Sequence, residues 1–114
     1  MSGHPAYAYK VLTAPQMAEL LDTGRFAGAP VDLADGYIHL SAEAQLAGTI
    51  DKHFAGQADL FIATVDLAAL GDAVRWEVSR GDALFPHIYA ELPMAAVIAH
   101  GPVARRSDGG VILP

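Results

Sequence analysis

The chain has 114 residues, of which 53% are hydrophobic and 18% charged, and it contains no cysteine. Thirteen acidic residues against seven basic ones give a formal net charge of −6, which disfavours nucleic acids as partners because affinity for phosphate polyanions depends on lysine and arginine. The lack of cysteine excludes disulfides, thiol nucleophiles and thiolate metal sites, so the chemistry must come from histidines, carboxylates and hydroxyls.

The first half of the chain predicts two strands and two helices. Residues 7–13 carry β-branched and aromatic side chains and end at a Thr-Ala-Pro signal, which favours a strand that leads into a short helix. The glycine-rich stretch 24–36 predicts a loop. A second short strand at 37–40 precedes a second helix, which we expect to begin at Ser41 as its cap and to end near Phe54.

The second half predicts mostly strands. Residues 60–65 are nearly all apolar, as in a strand covered on both faces, and residues 74–78 alternate apolar and charged side chains. Further strands are expected at 88–92 and 94–100, and the total is five or six depending on whether 111–113 adds an edge strand. With both main helices in the N-terminal half, the pattern predicts an α+β fold with bent, mixed or antiparallel sheets.

Nothing in the pattern divides the chain, so we expect one domain, residues 1–114, with a core from about 7 to 100. The longest apolar stretches are far shorter than the roughly 20 residues that a membrane span needs. The first five residues lack the basic start and apolar core of a signal peptide. We therefore expect a cytoplasmic protein without a membrane partner.

The stretch that ends at Ser41 is the most informative for function. Alternate side chains of a strand share a face, so Tyr37, His39 and Ser41 are expected to point together. A helix that begins at Ser41 would also offer backbone N–H groups to an anionic group such as a phosphate. Gln45 and Thr49 continue a polar line along that helix, as the wall of a cleft would. The alternative is that Ser41 only caps the helix and His39 is an interior histidine.

A second polar group lies on two predicted strands farther along the chain. Arg75 and Glu77 share one strand face, and His87 and Tyr89 share another. If the short turn between them makes these strands neighbours, the four side chains line one surface. A carboxylate there could bind a sugar hydroxyl or stabilise a developing cation. The alternative is a surface Arg–Glu pair, with Tyr89 in ordinary packing.

The five histidines show no metal-binding spacing such as His-x-His, so we expect no metal site. We interpret His53 as a helix-flank residue rather than a catalyst. Glycine-rich phosphate loops and the Gly-x-Ser-x-Gly nucleophile motif are both absent from the sequence.

The polar motifs and the strands around them form one set that runs from about Tyr7 to Ile98. Its members are Asp35-Gly36-Tyr37-Ile38-His39-Leu40-Ser41 with Gln45 and Thr49, Asp59-Leu60 with Asp66, Trp76-Glu77, and Phe85-Pro86-His87-Ile88-Tyr89 with Leu92. This set resembles the small bacterial family known as domain of unknown function 952. The chain departs from the family at Met17, where a Trp is expected, and at Ala90, where a Gly usually follows the Tyr.

The resemblance implies a fold similar to the ADP-ribosyltransferase and RNA 2′-phosphotransferase group, which binds NAD or an ADP-ribosylated intermediate in a cleft between bent sheets. It implies that NAD is the substrate and that the nicotinamide–ribose bond breaks through an oxocarbenium-like transition state. Because the chain is acidic, the acceptor is expected to be water, a small molecule or a protein side chain rather than RNA.

The resemblance assigns catalytic roles to Glu77 and His39. Glu77 would hold a ribose hydroxyl and stabilise the positive charge at the anomeric carbon, although His87 or Tyr89 could occupy the same place. His39 would fix ribose and phosphate oxygens together with Ser41.

The other roles that the resemblance implies are contacts with the ligand. The side chains assigned to them are Tyr37, Ser41, Gln45, Thr49, Arg75, His87 and Tyr89. Tyr37 or Tyr89 would stack on the nicotinamide, while the first strand offers only Tyr9 and Lys10 for the usual ribose contact. The alternative function is a non-catalytic module that binds a nucleotide, a sugar or a partner protein, so whether the chain is an enzyme stays open.

Overall fold

The computed structural model describes residues 4–114. The α-helices of this part of the chain are α1 (Ala14–Thr23), α2 (Pro30–Asp35) and α3 (Leu46–His53). The strands are β1 (Tyr7–Thr13), β2 (Arg25–Phe26), β3 (Ile38–His39), β4 (Leu60–Asp66), β5 (Val74–Val78), β6 (Leu84–Ile88), β7 (Leu92–Pro93), β8 (Val97–Pro102), β9 (Ala104–Arg105) and β10 (Val111–Ile112). Short 3₁₀ helices lie at Glu43–Gln45, Leu67–Ala73, Arg80–Asp82 and Met94–Ala96.

Two three-stranded antiparallel sheets form the scaffold. The first has the order β1-β4-β8, and the second has the order β3-β6-β5. Two-residue ladders join β2 to β7 and β9 to β10, also antiparallel. The predicted α+β class with antiparallel sheets is confirmed. None of the helices within residues 4–114 is both long enough and apolar enough to cross a membrane.

The segment 38–41 links the two sheets. His39 pairs with His87 in the second sheet, and two residues later Ser41 forms an antiparallel bridge with Tyr9 of β1, with both N···O distances 2.8 Å. The Leu40 N–H donates to the Pro86 carbonyl at 3.0 Å. The polar motif around His39 is therefore held by backbone hydrogen bonds on both sides.

The core lies on both faces of the first sheet. Ala8 and Leu12 belong to one buried cluster, while Tyr9 and Val11 belong to another. This alternation follows from the period of two in a strand. The central strand β4 divides its side chains in the same way, which confirms the prediction that residues 60–65 form a strand covered on both faces.

The stretch 24–36, predicted to be a loop, contains β2 and the six-residue helix α2. Pro30 opens α2, and the Asp32 carboxylate accepts the Ala29 N–H at 2.8 Å, which satisfies a free donor at the start of the helix. Gly36 ends α2 with a φ of 89°. Pro30 and Gly36 are typical of the start and end of a helix. The helix was nevertheless missed because its six residues are too few to show helical periodicity.

The prediction of a helix that begins at Ser41 is wrong. A 3₁₀ turn starts at Glu43, and α3 begins only at Leu46. Ala42 precedes the 3₁₀ turn, while the backbone of Ser41 is bonded to Tyr9 and its hydroxyl lies 2.8 Å from that of Thr49. The Gln45 side chain accepts the Ala42 N–H at 2.9 Å and donates to the Leu84 carbonyl at 2.8 Å, so its polar groups serve the backbone.

In the second half of the chain, the strand that contains Pro86 lies at a different position from the predicted one. The sequence predicted a strand at 88–92, and Pro86 conceals the observed strand because proline cannot donate a ladder hydrogen bond and is rare in a central strand. Instead β6 spans Leu84–Ile88 and is the central strand of the second sheet. Of the predicted strand 94–100, the first three residues form a 3₁₀ turn. The sequence left open whether residues 111–113 add an edge strand; the structure has β10 there, paired with β9.

Candidate functional site

A cavity of about 680 Å³ lies between β1, the helices α2 and α3, and the segment that links the two sheets. Four predicted site residues line it: His39, Ser41, Thr49 and His87. Tyr9 and Lys10, the two first-strand candidates, line it as well. Within the described chain, the other predicted residues lie outside its wall: Tyr37, Gln45, Arg75, Glu77 and Tyr89.

The cavity wall is rich in basic side chains. Both lysines of the sequence, Lys10 and Lys52, line it together with His39, His53 and His87. Among the described residues of the wall, the single carboxylate is that of Asp35. Since the whole chain has a net charge of −6, the cavity differs in charge from the rest of the molecule. His53, which we interpreted as a helix-flank residue, occupies the last position of α3 and is part of this wall.

Lys10 of the cavity wall forms a buried ion pair with Asp32, which does not itself line the cavity. The Lys10 Nζ lies 3.0 Å from Asp32 Oδ2 and 3.3 Å from Oδ1, and it donates to the His39 carbonyl at 3.0 Å. The alternation of side chains along β1 places Lys10 on the core side of the strand, and these oxygens accept the hydrogen bonds that its buried ammonium donates. Burial lowers the pKa of Lys10 below its usual value, although Asp32 opposes that change.

Asp32 also holds the ring of His39. Its Oδ1 lies 2.6 Å from His39 Nδ1 and accepts the His39 backbone N–H at 3.1 Å. Burial alone would raise the pKa of Asp32, but the Lys10 charge and the hydrogen bonds from His39 and Ala29 outweigh burial and keep it below the usual value. The second ring nitrogen, Nε2, lies 3.0 Å from Asp35 Oδ2. The His39 imidazole is thus held between two carboxylates.

His87 is held by a different carboxylate. Its Nδ1 lies 2.8 Å from Glu77 Oε1, and the Tyr89 hydroxyl donates to the same oxygen at 2.7 Å. The hydrogen bond with His87, followed by that from Tyr89, lowers the pKa of Glu77. The same contact with Glu77 raises the pKa of Tyr89. Glu77 therefore carries a negative charge at neutral pH beside a histidine that is only 2% exposed.

Aromatic rings connect the two histidines. The Tyr37 ring stacks on His87 with centroids 4.2 Å apart and also contacts His39 at 4.8 Å and Tyr89 at 5.1 Å. The Arg75 guanidinium lies 4.8 Å from the centre of the Tyr89 ring. The two motifs that the sequence presents separately therefore form one cluster, because β3 and β6 are paired.

The roles that the family resemblance assigns to His39 and Glu77 require both side chains to open onto one hollow. His39 lines the cavity, whereas Glu77 lies behind His87 and reaches the cavity only through that imidazole. The hydroxyls of Ser41 and Thr49 lie 2.8 Å apart on the wall. Of the polar line predicted through Ser41, Gln45 and Thr49, only Ser41 and Thr49 lie on the wall, and the helix that carries Thr49 begins later than expected.

Sequence reasoning missed Asp32 and Asp35. A lysine in the middle of a buried strand requires a carboxylate partner, and an Asp in the first turn after a proline is a typical cap, so Lys10 and Pro30 were the available signals. Over residues 4–114, His, Asp and Glu side chains form no group of three that would hold a metal ion.

Residues 11–100 match the model of a family described as "Protein of unknown function (DUF952)". A crystal structure of protein CC0527 from Caulobacter crescentus is 40% identical, covers 93% of both chains and has a TM-score of 0.84. The solution NMR structure of the same protein is 41% identical, covers 94% of this chain and 91% of that chain, and has a TM-score of 0.79. No curated protein matches the chain. The family match and the solved relative together show that the chain belongs to the DUF952 family.

Proposed function

We propose that the chain is an enzyme that binds NAD, or a closely related nucleotide, in the 680 Å³ cavity and breaks the nicotinamide–ribose bond. The observation that carries the proposal is the concentration of Lys52 and three histidines on one concave wall of an acidic chain, where the charge of Lys10 is already paired with Asp32. A phosphate-bearing ligand is the natural complement of such a wall. The volume lies within the 300–1,000 Å³ typical of small-molecule sites.

The ligand contacts follow from the positions of the polar groups. Lys52 and His53, at the end of α3, are suited to the diphosphate. The hydroxyl pair of Ser41 and Thr49 is suited to ribose oxygens, as is the His39 ring. The kinship with ADP-ribosyltransferases that the family resemblance implies is part of this proposal.

The role of Glu77 changes in this proposal. Its Oε1 already accepts hydrogen bonds from His87 and Tyr89, so we assign it to the support of His87 rather than to contact with ribose. Asp35 is the carboxylate of the cavity wall and lies 3.0 Å from His39 Nε2. Asp35 is therefore the group best suited to stabilise positive charge as the nicotinamide leaves. Tyr37 supports both imidazoles through its ring contacts.

The test is to incubate the purified chain with NAD and to measure nicotinamide release together with calorimetric binding. We expect saturable binding and release, both reduced by His39→Asn, which keeps a donor for Asp32 but removes Nε2. His100→Asn, on the exposed side of β8 and outside the cavity, is the matched control. No binding at millimolar NAD would contradict the proposal.

A binding module without turnover is the second candidate. It is favoured by the number of site groups that already have protein partners: both nitrogens of His39 and the Oε1 of Glu77. Groups engaged in this way are less available to transfer a proton, while the rest of the cavity wall can still bind a ligand. Binding of NAD or ADP-ribose with no nicotinamide release by the wild type, and unchanged ligand affinity in Glu77→Ala, would select this candidate.

A further inference from the structure

The most unusual polar atom of the cluster is Nε2 of His87. The side chain is 2% exposed, and among the side chains that the structure describes this nitrogen has no hydrogen-bond partner. His87 nevertheless lines the cavity. A buried polar atom without a partner is costly and calls for an explanation, such as a ligand that supplies the missing hydrogen bond.

The contacts of His87 decide which nitrogen carries the proton. An ionised carboxylate only accepts hydrogen bonds, so the Nδ1 that lies 2.8 Å from Glu77 must be the donor. The neutral ring then presents Nε2 as an unprotonated acceptor. Tyr89 donates to the same Glu77 oxygen, and Tyr37 stacks on the His87 ring, so neither the carboxylate nor the imidazole is free to turn.

His39 does not offer the same chemistry. Its Nδ1 lies 2.6 Å from Asp32 and its Nε2 lies 3.0 Å from Asp35. Both nitrogens already face carboxylate oxygens, so neither is a vacant acceptor for a ligand proton. Of the two neighbouring histidines, His87 is thus the one with a vacant acceptor.

We propose that His87 is the general base of the reaction and that Glu77 is the residue that positions it. The inference deepens the function proposed above and rests on it. The oxygen of water or of another hydroxyl acceptor bonds to the anomeric carbon of ribose while its proton moves to His87 Nε2. The electrons of the broken C–N bond leave with nicotinamide, which departs as a neutral molecule and needs no proton. Glu77 stabilises the imidazolium until its proton passes to solvent.

The first test reads the proton position without any activity. Nitrogen-15 NMR of the histidine side chains of the full chain should show His87 with a protonated Nδ1 and an unprotonated Nε2. Addition of ADP-ribose should shift the Nε2 resonance and leave Nδ1 nearly unchanged. A His87 ring protonated at Nε2 in the free, neutral form would overturn the inference.

The second test separates proton transfer from binding. His87→Asn keeps an N–H near the position of Nδ1 for Glu77 but removes Nε2, so we expect kcat for nicotinamide release to fall about 100-fold or more with little change in KM. Glu77→Gln can place one amide oxygen where Oε1 accepts both bonds, and it should retain the His87 tautomer and part of the rate. Glu77→Ala should lose both.

The outcomes distinguish the two proposals. If the wild type releases no nicotinamide, the proposed function fails, and the assignment of a general base fails with it. If the wild type turns over NAD and His87→Asn does so at the same rate, only the inference about His87 is wrong. A fall in kcat with retained KM and retained melting temperature supports it.

Discussion

His39 of β3 and His87 of β6 are directly paired, with ring centroids 5.2 Å apart and planes at 70°. Each ring has its own carboxylate, Asp32 for His39 and Glu77 for His87. The two dyads differ in setting, since Asp32 is buried beside Lys10 whereas Glu77 is partly exposed beside Tyr89. The pair therefore combines a histidine suited to binding with one suited to accepting a proton.

Removal of the buried ammonium should destabilise the fold. Lys10→Met leaves the Asp32 carboxylate buried without its counter-charge, and we expect a loss of about 3–5 kcal/mol in the free energy of unfolding. Urea denaturation measures this change. The control is Lys52→Met, the only other lysine in the sequence, which is exposed and should change stability by about 0.5 kcal/mol or less. Equal effects of the two substitutions would contradict the account of Lys10.

The same ion pair predicts the response to acid. Because the folded-state pKa of Asp32 is lowered, its contribution to stability is complete above the unfolded value of about 3.9 and is lost as the pH falls through the folded value. A carbon-13 NMR titration of the Asp32 carboxyl should therefore show a midpoint below the ordinary aspartate pKa of about 3.9. A midpoint at or above it would mean that burial, and not Lys10, dominates.

An element of this fold could be predicted from the sequence only where a local pattern of residues marks it. The strands β1, β4 and β5 were predicted because alternation or an unbroken apolar run is a local pattern. The short helix α2 and the start of β6 were not, since six residues show no period and Pro86 argues against a strand.

The candidate site was predicted in two halves. His39 with Ser41 follows from alternation along one strand, and Glu77 with His87 follows if the short turn makes their two strands neighbours. Only the family resemblance places the two halves in one site, because their convergence depends on the long-range pairing of β3 with β6, which no local pattern reveals. The Lys10–Asp32 pair, 22 residues apart in sequence, is a tertiary contact of the same kind.

The hydroxyl of Tyr89 should affect the charge of Glu77 rather than the fold. Tyr89→Phe removes one of the two hydrogen bonds that lower the pKa of Glu77, so the titration of Glu77 should move toward its ordinary value. Tyr89 is exposed, so the melting temperature should change little. Carboxyl NMR measures the titration, and Tyr7→Phe, also exposed, is the control. An unchanged Glu77 titration would show that His87 alone sets its pKa.

The hydroxyl pair on the cavity wall should behave as a unit. Ser41 and Thr49 lie 2.8 Å apart, so a double-mutant cycle with alanine should give a coupling energy of about 0.5–1.5 kcal/mol in stability. If the pair binds ribose, Ser41→Ala also weakens ADP-ribose binding in calorimetry. Coupling with no change in ligand affinity would limit the pair to a structural role.

The most direct test of the central claim is a crystal structure of the chain with bound ADP-ribose. The account predicts that the ligand occupies the cavity, with its diphosphate near Lys52 and a ribose hydroxyl within hydrogen-bond distance of His87 Nε2. An empty cavity at saturating ligand, or a ligand bound with that nitrogen still lacking a partner, would contradict it.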